Sequence, residues 1–126
     1  MKEINIKHMN SLHSDALRSL DFYKQDIKIL RNRLEEITAD NTRREVAVMI
    51  EHFQNQFLIQ QNNIDELKHK LHDNLSNIQN QVMEYAGFIS ETSSAENVDL
   101  YDQYLTIEKL VNEIRQEFNR FASKWM

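Results

Sequence analysis

Helix breakers have been cleared from this chain. Its 126 residues hold no proline and a single glycine, Gly87. These two residue types interrupt helices most strongly. Over the same length, apolar residues recur at steps of three and four, the spacing that lines up side chains on one face of a helix. A chain patterned this way has one economical solution, which is to bury helix stripes against each other.

Three such stripes can be traced. The first runs Met9, Leu12, Ala16, Leu20, Tyr23, Ile27, Leu30, Leu34, Ile37. It contains two consecutive steps of four, at Leu12-Ala16-Leu20, which reads as a local stutter in a coiled-coil seam. The stripe stops at Ala39-Asp40-Asn41. Thr42 with Glu45 then forms the Thr-x-x-Glu spacing of a capping box, so a new helix is expected to start there. The second stripe runs Val46, Ile50, Phe53, Phe57, Gln60, Ile64, Leu67, Leu71, Leu75, Ile78, Val82. It fades through Tyr85-Ala86-Gly87-Phe88-Ile89 into Ser90-Glu91-Thr92-Ser93-Ser94, a loop composition, with Ser93 and Glu96 offering a second capping box. The third stripe runs Leu100, Tyr104, Ile107, Val111, Ile114, Phe118, Phe121, Trp125 without a fault.

The expected fold is therefore all-α: an elongated, antiparallel three-helix bundle with coiled-coil-like packing. Its helices span about 7–39, 43–86 and 95–125, in a single domain over residues 1–126. Joints near 41 and 90 set an approximate register. The first joint places Phe53 and Phe57 beside Tyr23 and Leu30. The second brings Phe118, Phe121 and Trp125 to the same half, predicting an aromatic core near the first joint.

Charge narrows the class of partner. The net charge of −5 lies mostly in the last third, where residues 82–126 carry four Lys/Arg against eight Asp/Glu. Nucleic-acid binding rests on phosphate neutralisation, and an acidic chain without a dense basic stripe does not offer it. Arg31, Arg33, Arg43 and Arg44 gather near the first joint and read as a solvated basic end. No apolar run approaches the roughly 20 residues needed to span a membrane. Met1–Asn5 shows no apolar stretch behind a basic start, so a cytoplasmic location is expected.

Chemistry has few seats in this composition. The chain has no cysteine, and one glycine does not make a phosphate-binding loop. No nucleophile stands on a recognisable elbow, so the chain is read as non-enzymatic and without a cofactor. One cluster argues the other way. The first-joint register puts His13 opposite residue 69, which brings His8, His13, His69 and His72 to one level at the far end of the rod. Glu66 and His69 have the Glu-x-x-His spacing that projects a carboxylate and an imidazole from one helix face. The set His8, His13, Glu66, His69 and His72 is thus a candidate ligand group for iron, zinc or manganese, with Asp15, Asp73 and Glu108 nearby. Against it, His69 and His72 fall on the outer flank if Ile64, Leu67 and Leu71 define the seam.

A second feature points to contacts with protein. From His52 to Ile64, thirteen residues carry no Lys, Arg, Asp or Glu. The exposed face of a long helix usually carries charged pairs, and depletion of charge marks interface cores. His52, Gln56, Leu58, Ile59 and Gln60 are the candidate interface residues. Gln60 also takes a seam position, where a polar side chain sets register or oligomeric state. The resulting expectation is an interaction or scaffolding module that binds a protein partner or a second copy of itself. A small metal-binding bundle is the alternative.

Overall fold

The structure is a computed structural model that describes residues 4–84, 88–89 and 91–125, with side chains described over 8–77, 80 and 95–125. In chain order it contains β1 (Ile4–Asn5), α1 (Ile6–Asp40), α2 (Arg44–Glu84), β2 (Phe88–Ile89) and α3 (Glu91–Trp125). The three helices pack pairwise into an all-α three-helix bundle. At 35, 41 and 35 residues, each is roughly 50–60 Å long.

Direction follows from the cross-links. Asp21 pairs with Lys68 and Lys24 with Asp65, so α1 and α2 run antiparallel. Asp26 bonds Arg115 and Arg33 bonds Asn119, with numbers rising together, so α1 and α3 run parallel. The first joint is short. Asn41 Nδ2 donates to Ile37 O at 2.9 Å, closing the last turn of α1, and reaches Trp125 O at 3.4 Å, tying in the end of α3. The first backbone bond of α2 runs from Ala47 N to Arg43 O at 3.0 Å. Arg43 thus holds the cap position, one residue after the Thr42 of the expected capping box.

Two expectations at the second joint are corrected. The segment Glu91–Ser94 is helical, so α3 begins at Glu91 rather than near 95, and Ser93 cannot be its cap. With α2 ending at Glu84, the joint is centred nearer 87 than 90. The register of α2 against α3 slides accordingly: Asn74 meets Asn97 rather than a residue near 106. At the same end, Phe88–Ile89 forms a short antiparallel pair with Ile4–Asn5, an element with no counterpart in the expected fold. Tyr85–Gly87 lie outside the described residues.

The core forms a seam of regular steps. Along α1 the buried positions are Met9, His13, Ala16, Leu20, Ile27, Leu30, Leu34 and Ile37. Along α2 they are Val46, Ile50, Phe53, Phe57, Gln60, Ile64, Leu67, Leu71 and Asn74. In α3 they include Asn97, Tyr104, Ile107, Val111, Ile114, Phe118 and Phe121. The stutter expected in α1 is absent. His13, not Leu12, lies in the seam, and Met9-His13-Ala16-Leu20 restores alternating steps of four and three. Likewise α2 passes from Leu71 to Asn74 rather than to Leu75.

The aromatic half is packed as the pattern predicts. The ring of Phe53 lies 5.3 Å from Phe118 and 5.1 Å from Phe121, while Phe57 lies 5.5 Å from Phe118. Such edge-on and tilted pairs add roughly 0.5–1.5 kcal/mol beyond the area they bury.

Candidate functional site

The described side chains at the histidine end do not gather into a metal cage. His13 is fully buried, at 0% exposure, and its Nε2 lies 3.4 Å from Asn97 O. His69 is 80% exposed and reaches Asp73 at 3.4 Å, one turn along the same helix. His72 and His8 are exposed. Glu66 is exposed and pairs with Lys70 at 3.3 Å. Among the described residues, no group of three His, Cys, Asp or Glu side chains stands close enough to hold a metal ion.

Two physical causes keep the expected ligands apart. The seam through Ile64, Leu67 and Leu71 turns His69 and His72 outward, while the α1 seam turns His13 inward. The α1–α2 register also differs from the one inferred. With Asp21 against Lys68 and Lys24 against Asp65, residue 69 lies nearer the level of Leu20 than of His13. The neighbouring carboxylates are engaged elsewhere. Asp15 pairs with Arg18, and Glu108 accepts a bond from the Tyr104 hydroxyl at 2.7 Å.

What His13 does join is a buried polar layer with one residue from each helix. Asn74 Nδ2 of α2 donates to Asn97 Oδ1 of α3, and the main-chain carbonyl of the same Asn97 faces His13 of α1. All three residues are buried. A carbonyl only accepts, so the Nε2 of His13 carries the hydrogen and Nδ1 is the bare nitrogen. That Nδ1 is buried without a hydrogen-bond partner among the described residues. Burial lowers the ring's proton affinity below the ordinary 6.5, and the Asn97 carbonyl offsets part of that. An apolar count along the sequence passed over all three residues. The signal that finds them is the unbroken alternation of steps, which demands a seam residue at 13, 74 and 97.

The uncharged belt divides into two faces. Gln60 takes the expected seam position, and its Oε1 is buried without a partner among the described residues. His52 Nε2 lies 3.0 Å from Glu117 Oε1 of α3, and Gln56 is half-buried. Leu58 and Ile59 point outward, at 52% and 47% exposure, with Val48 exposed further along α2. Helical spacing puts Val48, Asn55 and Asn62 on one outward line between them, all exposed.

Three of the four arginines near the first joint are engaged with neighbours. Arg31 bonds Gln61 at 2.7 Å, Arg33 lies over the Phe118 ring at 5.7 Å, and Arg43 over the Trp125 ring at 5.6 Å. Midway along the rod, burial and the Glu108 carboxylate push the hydroxyls of Tyr23 and Tyr104 up in pKa, which keeps both protonated. No described helix is long and apolar enough to cross a membrane. Compared with protein-family models, with curated proteins and with solved structures, the chain matches none.

Proposed function

We propose that this protein is a non-catalytic interaction module that binds a second copy of itself through the outer face of α2. One observation carries the reading: Leu58 and Ile59 are about half exposed in the middle of a thirteen-residue segment that holds no charge. A helix face that only meets water gains solubility from charged pairs. Here the segment keeps large apolar side chains outward and omits those pairs. Val48 extends the apolar character toward the first joint. The non-catalytic part rests on composition, in the lack of cysteine and of glycine-rich loops.

The test is the mass in solution of the wild type and of the Leu58→Lys/Ile59→Lys variant, each beside its circular dichroism. The monomer mass is 15.1 kDa. The wild type is expected at twice that value in the micromolar range. The variant is expected as a monomer of unchanged helicity, because substitutions at such exposed sites usually alter stability by no more than about 0.5 kcal/mol. A wild type that stays monomeric at every accessible concentration overturns the reading.

A further inference from the structure

We infer that the end of the bundle built on His13, Asn74 and Asn97 is a proton-operated latch: protonation of His13 releases the contact of the three helices there, while the aromatic end stays packed. The geometry supplies the reason. His13 already uses its one N–H toward the Asn97 carbonyl, at 3.4 Å. A second proton has only Nδ1 to occupy, and that atom is buried and faces no acceptor among the described residues. Protonation would therefore bury a charge and leave its new N–H unpaired. Either change is costly, and the ring escapes both by moving to water.

No described charge is placed to offset the added proton. On α1 the nearest chargeable groups along the helix are His8 and Asp15, both exposed, and Asp15 is paired with Arg18. On α2 they are His72 and Asp73, also exposed, with Asp73 beside His69. On α3 they are Glu96 and Asp99, both exposed, and Asp99 accepts a bond from Gln103. The short strands Ile4–Asn5 and Phe88–Ile89 carry no titratable side chain. Lys7, Glu84 and Glu91 belong to this end by position, with side chains outside those described.

The sign of the effect follows from linkage. The buried ring has a proton affinity below the ordinary 6.5, and an opened ring regains that ordinary value. The opened state then binds more protons in the window between about 6.5 and the lowered value of the buried ring, so the closed contact weakens as pH falls from 6.5 through that window. Above it, the contribution of His13 to closure is fully present. One linked proton allows at most about a tenfold change in the opening equilibrium per pH unit. The contrast with the other end is chemical: the buried rings of Phe53, Phe57, Phe118 and Phe121 have nothing to titrate, and His52 beside Phe53 is partly exposed with the Glu117 carboxylate 3.0 Å away to meet an added proton.

Hydrogen exchange resolved by peptide tests the inference, at pH 7.5 and 5.0 with intrinsic rates corrected. For the wild type, protection is expected to drop as the pH falls below about 6.5, by no more than about tenfold per pH unit, in peptides covering 8–20, 67–77 and 95–104. Peptides covering 46–57 and 114–125 are expected to hold theirs. His13→Gln and His13→Leu are expected to abolish the pH dependence of the first group. Persistence of the drop in both variants, loss of protection at both ends together, or unchanged protection at pH 5.0 overturns the inference. Should neither variant fold, the imidazole resonances of the wild type decide. A His13 ring that titrates at or above 6.5 while this end stays protected also overturns it.

Discussion

Near the first joint, four phenylalanine rings from α2 and α3 meet with centroids 5.1 to 6.1 Å apart. Near the second joint, the same seam is occupied by His13, Asn74 and Asn97. Backbone periodicity is identical at the two ends and the side-chain chemistry is opposite. Rings give depth of stability, because their contribution scales with area removed from water and asks for no partner. Amides and an imidazole give conditional stability, because each contributes only while its partners are in place. A long bundle that used rings throughout would close with equal strength along its whole length. This one is built to be firm at one end and negotiable at the other.

The largest expected effect tests the firm end. Phe118 is fully buried and touches Phe53, Phe57 and Phe121. Replacing it with alanine is expected to cost about 3–5 kcal/mol in chemical denaturation, from lost transfer energy and the cavity left behind. The midpoint for the entire bundle should fall, since α3 is anchored there. A cost below that of any single change in the polar layer would break the comparison between the two ends.

A smaller effect is expected at the polar layer, and it should be non-additive. Asn97→Leu leaves Asn74 Nδ2 buried without its acceptor, which is expected to cost about 1–3 kcal/mol. Asn74→Leu strands the Asn97 Oδ1 in the same way. The double change removes both amides together and is expected to recover most of the loss, because two leucines of matching shape strand neither partner of the Asn74–Asn97 bond. A denaturation-based double-mutant cycle reads this directly. Simple addition of the two single costs would mean that the amides are not coupled across α2 and α3.

Much of this contrast could be read from the chain before the fold was known. The aromatic end was legible because large apolar residues at alternating steps mark a seam without ambiguity, and Phe53, Phe57 and Phe118 stand where that count puts them. The polar end was harder for a physical reason. A buried polar residue looks like a surface one until its helix phase is known, and counting only apolar residues shifts that phase. Taking Leu12 in place of His13 produced a stutter that the fold does not contain. The second joint lies nearer Gly87 than the serines suggest, because serines suit both loops and the first turn of a helix, and α3 uses them for the latter. The strand pair Ile4–Asn5 with Phe88–Ile89 joins residues far apart in sequence, and two-residue strands carry no periodic signal.

Gln60 stands between the two ends and sharpens the comparison with the smallest effect. It lies on the seam between Phe57 and Ile64, buried like them, yet its Oε1 faces no donor among the described residues. On the logic of the aromatic end, it is a defect in a hydrophobic stripe, and Gln60→Leu should stabilise the monomer fold by about 1 kcal/mol. The logic of the polar end makes it a marker of register, whose loss would free the helices to slide or add a further chain. The two roles separate by measurement. Denaturation midpoints read the first, and mass in solution reads the second. A more stable protein of unchanged mass would extend the aromatic regime to the middle of the rod. A more stable protein of altered mass would show that a single amide at the centre limits how many helices this seam accepts.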